Sequence, residues 1–355
     1  MFPRWGWALV GVAVARALLL PAFELVPQET YYAFYARYPA LSYFDHPPLL
    51  AWALAAALRL FGHQALAVRA VPFLFTLLTQ LAFLSLARRF MRGDVGRTAL
   101  LFATTGAVTL LSVVALPDAP LVAFWTLALV ALASALFDAK RWAWPLAGLF
   151  MGLAFDAKYT GAALWLGLFL FLLASPLHRR LFCTAGPWVA LGVAQLVALP
   201  VFVWNAQHGW VSFLFQTTGR LQTASGLGLR NVLGLGGTQA VLLLPPLFLV
   251  LVVVAARGTA GLFRRALGPE ELFLGAFCLP VLVPGVLLSA VVLVKPNWLL
   301  PAYVSGVLWA VGTALDLYAQ PQLWRRAVQN GMAQDFSWGR QVPRYVEAYE
   351  RLLRS

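Results

Sequence analysis

The run Leu121-Val122-Ala123-Phe124-Trp125-Thr126-Leu127-Ala128-Leu129-Val130-Ala131-Leu132-Ala133-Ser134-Ala135-Leu136-Phe137 carries no charged residue. A helix of about 17–25 such residues reaches across the hydrocarbon of a bilayer. The run ends differently on its two sides. Leu116-Pro117-Asp118-Ala119-Pro120 precedes it, and Lys140 and Arg141 follow it. A polar motif at one end and a basic pair at the other is a pattern that the rest of the chain repeats.

Working outward, the composition agrees. The 355 residues are 61% hydrophobic and 11% charged, against about 45–50% and 25% for soluble domains. The mean hydropathy is +0.79. Apolar runs lie at about 5–25, 66–87, 98–116, 121–137, 143–157, 161–175, 185–204, 231–256, 272–294 and 298–317. The fold class they predict is all-α: a polytopic membrane protein of about ten transmembrane helices. The 48–61 stretch reads as an amphipathic piece lying at the interface. Trp5 to Phe23 is followed by no small-residue cleavage site before the Tyr-rich loop, so it reads as a retained helix rather than a signal peptide.

The net charge of +13 is spread as short clusters between apolar runs. That is the signature of cytoplasmic loops, and it excludes a nucleic-acid-binding face. The clusters are Arg88, Arg89, Arg92 and Arg97; Lys140 and Arg141; Arg179 and Arg180; Arg257, Arg264 and Arg265; Arg325 and Arg326. The remaining connections are richer: the 27–47 loop, the Pro117-Asp118-Ala119-Pro120 turn, Asp156 to Gly161, Trp204 to Trp210, and Lys295-Pro296-Asn297-Trp298. With ten spans and an inside N-terminus, every basic cluster falls in the cytoplasm and every motif loop on the opposite face. One active face, outside the cell's inner or plasma membrane, is the expectation. Cys183 and Cys278 form no spaced pattern, so neither a disulfide framework nor a zinc site is indicated.

The candidate site residues come from those loops. Glu29 and Asp45 share the 27–47 loop with Tyr31, Tyr32, Phe34, Tyr43 and Phe44. A carboxylate beside a bilayer is costly unless it is used or solvated. Either a general base or a metal ligand would use it. The rings suit an interface belt or a sugar-stacking platform. Asp118 is a second active-site carboxylate or a helix cap. Lys158 and Lys295 are two of three lysines in the chain, and both fall on the motif face with Arg220 and Arg230. They fit a phosphate, or else snorkel to headgroups; Asp156 is an alternative partner for Lys158. Asn205 and His208 sit between Trp204 and Trp210 as a polar turn or a substrate contact. No second histidine has zinc-ligand spacing and no Gly-rich phosphate loop is present. A divalent metal ion stays open, and no other cofactor is indicated.

Tyr31-Tyr32, Tyr43-Phe44-Asp45-His46-Pro47-Pro48-Leu49 and Val68-Arg69, followed by Pro117-Asp118-Ala119-Pro120, Lys158-Tyr159-Thr160, Trp204 to Trp210 with Ser212-Phe213, and Asn297-Trp298, resemble family 39 glycosyltransferases in the same order. These are GT-C-type membrane enzymes, the protein O-mannosyltransferase, aminoarabinose transferase and lipid A galacturonosyltransferase group. The resemblance covers roughly residues 5–312. It implies transfer of a sugar from a polyprenyl-phosphate donor to a lipid, glycan or protein acceptor on the extracytoplasmic side. It places an acid from the first loop near the acceptor hydroxyl and cations on the lipid phosphate. Where the family commonly carries Asp-Glu before the tyrosine pair, this chain has Gln28-Glu29. Glu29 or Asp118 then takes the base role, or the activity is altered or lost.

On that reading Glu29 is the first choice for general base and Asp118 the second, with Asp45 and His46 orienting substrate or a metal. Lys158, Lys295 and Arg69 hold the donor phosphate, and Tyr31, Tyr32, Tyr159, Asn205, His208 and Asn297 contact substrate. A transporter or flippase of a polyprenyl-linked saccharide, and a decayed transferase, are the alternatives. Residues 1–318 form the transferase domain. From 319 the composition is that of a soluble helix, with Tyr345, Tyr349 and Leu352 at helical spacing. There, Asn330 to Trp338 resembles the C-terminal end of bacterial glycogen synthases, without that family's nucleotide pocket. The chain thus reads as a mosaic, with 319–355 as a helical cytoplasmic tail.

Overall fold

A computed structural model of the chain describes residues 3–91, 93–219, 228–264 and 267–333, with isolated positions between 339 and 350. Every regular element among the described residues is helical. In order they are α1 (Arg4–Leu19), α2 (Pro27–Arg37), α3 (Leu49–Phe61), α4 (Ala65–Phe90), α5 (Val95–Thr104), α6 (Gly106–Val113), α7 (Asp118–Phe137) and α8 (Ala143–Ala157). There follow α9 (Ala163–Ala174), α10 (Ala185–Gln207), α11 (Val211–Leu214), α12 (Leu229–Leu243), α13 (Pro245–Arg264), α14 (Pro269–Ser289), α15 (Leu300–Tyr318) and α16 (Pro321–Met332). The chain divides into two compact units, Met1–Val311 and Gly312–Ser355. The glycogen-synthase-like residues from Gln334 to Trp338, with Tyr345 and Tyr349, lie outside the described residues, as do Arg92, Arg220 and Arg265.

Among the described residues five helices are long and apolar enough to cross a bilayer, or seven if each of two bent pairs is one span. This is an integral membrane protein, and the number of spans that length and composition support is five to seven. The sequence expectation of about ten counts α1, α8 and α9, which are 16, 15 and 12 residues long. The 98–116 run is two helices bent by 60°, and the 231–256 run is two helices bent by 118°. Each break has a local cause. At the first, Thr105 caps α6 by accepting from the Val108 amide at 3.4 Å. At the second, Leu244 takes a left-handed φ of 72°, and Pro245 and Pro246 cannot continue the α12 hydrogen-bond ladder.

A broken helix in a membrane needs donors for its freed carbonyls. Arg16 of α1, buried, supplies one. Its guanidinium donates to the Ala103 carbonyl, on the last turn of α5, and to Thr109 Oγ1 at 2.9 Å.

α7 is the axis of the first unit. Trp125, Leu121, Leu129 and Leu132 on it are fully buried. α8 packs between α7 and α10. Lipid tails are as apolar as leucine, so close packing rather than hydrophobicity holds such helices together. Gly148 and Gly152 of α8 allow it. A Cβ on Gly152 would stand 2.6 Å from Val197 Cβ and 2.8 Å from the Ala194 carbonyl of α10, and one on Gly148 would strike the Ala190 carbonyl. The far end of α7 is clamped by Asp138, which accepts from Arg89 of α4 at 3.0 Å and lies 3.8 Å from Lys140. Asp118 and Asp138 thus mark opposite ends of one helix about 30 Å long.

Candidate active site

α2 opens with Pro27 at its first turn, the position where a missing N–H costs nothing. Three positions in, Glu29 turns back and accepts from the Val26 amide at 3.0 Å. The rest of its carboxylate is also taken. Arg69 of α4 donates from Nε at 3.3 Å and from a terminal nitrogen at 3.1 Å. The Ala115 amide, three residues before Asp118, donates at 3.1 Å. Arg69 spends its remaining donors on the carbonyls of Leu20 at 3.0 Å, Phe23 at 2.5 Å and Glu24 at 2.6 Å. Glu29 is 0% exposed and Arg69 4%. Together they tie α2, α4 and the Asp118 turn into one block. Neither lines the cavity described next.

That cavity has a volume of about 770 Å³. Its polar wall is made by Gln28 and Tyr32 of α2, His46, Asp118, Lys158 with Tyr159 and Thr160, and Lys295 with Asn297. Its apolar wall comes from Leu110 and Val114 of α6, Pro280 and Pro284 of α14, and Trp298. Asp118 is the centre of the polar side. Lys158 Nζ donates to one of its oxygens and Asn297 Nδ2 to the other, each at 2.7 Å. The residue is 0% exposed, so an ionised carboxylate there needs both partners. Lys158 takes Asp118 rather than Asp156. The Oδ1 atom of buried Asp156 has no hydrogen-bond partner among the described residues. The hydroxyls of Tyr159 and Thr160, on the cavity wall, are likewise buried without one.

The loop carrying Lys295 and Asn297 is held from behind. Gln239 of α12 donates to the Pro296 carbonyl at 3.1 Å and accepts from the Tyr303 hydroxyl of α15. Sequence reasoning singled out neither Gln239 nor Arg16. It also did not name Gln216 and Thr217, which line the cavity.

The other candidates separate into two groups. Tyr32 packs edge-on against His46, with ring centroids 5.6 Å apart, and both line the cavity. Asp45 accepts from the Tyr35 hydroxyl at 2.8 Å and stands 4.0 Å from His46 Nε2, outside the cavity wall. Tyr31 is half-exposed and its hydroxyl meets that of Tyr35. Asn205 is buried: it donates to the Val201 carbonyl at 2.9 Å and accepts from the Ser212 amide at 3.2 Å. Ser212 in turn donates to the Tyr43 carbonyl at 2.8 Å. Asn205 therefore braces the 27–47 loop at a distance from the cavity. His208 is exposed, stacked on Trp204 at 4.0 Å. Among the described residues no three His, Cys, Asp or Glu side chains gather as a metal site requires. Lys158 and Lys295 are the Lys and Arg side chains on the cavity wall among the described residues.

The helical architecture and the order of motifs are similar to those of membrane glycosyltransferases. The family model described as dolichyl-phosphate-mannose-protein mannosyltransferase matches residues 45–204. The lipid A galacturonosyltransferase RgtD of Rhizobium johnstonii is 28% identical over 316 residues, 88% of this chain and 66% of that protein. ArnT from Cupriavidus metallidurans, solved bound to undecaprenyl phosphate, shares the fold with a TM-score of 0.66 at 20% identity, over 93% of this chain and 63% of its own. The chain thus spans just under two thirds of the length of each. The likeness to glycogen synthases is short: that of Thioalkalivibrio sulfidiphilus is 50% identical over 44 residues, 12% of this chain and 9% of that enzyme.

Proposed function

We propose that the chain transfers a sugar from a polyprenyl-phosphate donor to the hydroxyl of a lipid, glycan or protein acceptor. The observation that carries this reading is Asp118, a buried carboxylate held between Lys158 and Asn297 on the wall of a half-apolar cavity. The apolar wall suits a polyprenyl chain, and the lysines suit its phosphate. Asp118 is the proposed base. It takes the acceptor hydroxyl proton as that oxygen attacks the anomeric carbon. The bond from that carbon to the phosphate oxygen breaks, and the electron pair leaves with the phosphate. Lys158 and Lys295 stabilise the anion that departs. A phosphate drawing Lys158 toward itself also frees one Asp118 oxygen for the proton. The hydroxyls of Tyr159 and Thr160 are the proposed donors to sugar oxygens, and His46 and Tyr32 the proposed aromatic floor. Glu29 and Arg69 are assigned the structural block instead, because neither lines the cavity and their polar atoms bind each other and the surrounding backbone.

The proposed face is extracytoplasmic, in the inner or plasma membrane. The cavity end of α7 and its Arg89–Asp138 end are on opposite sides, and clustered Lys/Arg favour the cytoplasm. A topology of ten spans remains a proposal that requires α1, α8 and α9 to cross. Membranes carrying the protein and a labelled polyprenyl-phosphate sugar test the reaction. Asp118→Asn should lower covalent transfer by about 10²- to 10⁴-fold. Full transfer by this variant ends the assignment, and lipid movement without transfer favours a flippase.

A further inference from the structure

A second recess lies between α2 and α3, one turn further along α2 than the cavity residue Tyr32. Its volume is about 430 Å³, and it is lined by Ala36, Arg37, Ala55, Leu58, Arg59 and His63. Ala36, Ala55 and Leu58, all buried, form a small, smooth floor. Arg37, Arg59 and His63 are exposed above it. None of the three makes an ion pair or side-chain hydrogen bond with another described residue. Two unpaired guanidiniums over a shallow floor match a phosphate, which each can grip with two donors.

The surroundings say which phosphate. Leu60 and Phe61, next to Arg59, are 76% and 60% exposed, and Tyr38, next to Arg37, is 65% exposed. Cations beside exposed apolar side chains are the dress of a helix lying in the headgroup layer. We propose that this recess binds the phosphate-bearing headgroup of an anionic lipid, with the acyl chains running over Leu60 and Phe61. The proposal is independent of the transfer reaction. It nonetheless sets an anionic lipid beside the site: Arg37 is five residues past Tyr32 on α2, about 7–8 Å along the axis.

The test uses the full chain in an uncharged detergent, with binding of dioctanoyl phosphatidic acid followed by thermophoresis. Saturable binding is expected. It should weaken at least tenfold in the double variant Arg37→Gln, Arg59→Gln and recover in part in Arg37→Lys, Arg59→Lys. Dioctanoyl phosphatidylcholine and inorganic phosphate should compete poorly against the wild-type chain. Equal binding by the glutamine variant at an unchanged melting temperature overturns the site. Equal competition by inorganic phosphate overturns the lipid and leaves a free-anion site; equal competition by phosphatidylcholine overturns the charge recognition. Those two arms need no variant to fold.

Discussion

Asp118 and Asn297 are 179 positions apart in the chain, yet the amide of one donates to the carboxylate of the other at 2.7 Å. The contact joins the start of α7 to the turn before α15, and it exists because Gln239 and Tyr303 hold that turn in place. A hydrogen bond to a buried charge is worth about 1.5–3 kcal/mol. Asn297→Ala should therefore slow sugar transfer by about ten- to a hundredfold. Asn297→Asp should do at least as badly, since it sets two carboxylates together. Initial rates in membranes at matched expression check both.

Glu29 and Arg69 should report on stability rather than on turnover. Breaking a buried ion pair from one side costs about 3–5 kcal/mol. Glu29→Gln and Arg69→Met should each lower the melting temperature in detergent, and the double variant should lose less than the sum. Transfer per folded molecule of Glu29→Gln should stay within about tenfold of the parent, short of what losing a general base costs. A loss of a hundredfold or more at unchanged stability would return the base role to Glu29.

Gly152 should tolerate little. A leucine there must push α8 from α10, because Val197 and the Ala194 carbonyl already occupy its space. Overpacking of this kind costs about 1–3 kcal/mol or more. Gly152→Leu should give little monodisperse protein on size exclusion, and Gly152→Ala an intermediate yield. Gly192 of α10, with open space at its Cβ position, is the control site.

His178 should couple stability to pH. It is buried between Phe137 and Phe171 with Nδ1 2.8 Å from Ser175 Oγ, and burial pushes its pKa below the usual value of 6.5. The unfolded chain then takes a proton before the folded one does. Its contribution is present above about pH 6.5 and is lost as pH falls through the folded-state value. Melting temperatures measured between pH 8 and 5, both about the range in which histidine titrates, should fall on the acid side. The fall should be shallower in His178→Gln.

Much of this site was legible. Asp118, Lys158 and Asn297 stood out because polar residues between apolar runs are costly, and the fold brings all three to one wall. Glu29 stood out for the same reason, and the signal could not separate it from Asp118. A buried acid that closes a network and one that faces a cavity look alike until the partner is known, and Arg69 is 40 residues away. Asn205 was legible as a polar residue between two tryptophans and illegible as a brace, since Ser212 and Tyr43 complete it only in space. Length and composition support five to seven of the ten expected spans among the described residues, because hydropathy does not show that α1, α8 and α9 are only 16, 15 and 12 residues long. A hydropathy window reads through Thr105 and Leu244 because the breaks there lie in dihedral angles. Pro245 and Pro246 did carry the second break in the sequence.

The Arg16 clip bears on biogenesis. Its acceptor carbonyl on Ala103 lies 87 residues later in the chain, which at a synthesis rate of about 5–20 residues per second means roughly 4–17 s of delay. During that interval a guanidinium on an otherwise greasy segment has no mate, a state hydrocarbon tolerates poorly. On the proposed topology, in which α1 crosses, the nascent helix is expected to wait at the translocation machinery or the headgroup layer until the kinked segment emerges. Insertion of one element would thereby be conditional on delivery of another.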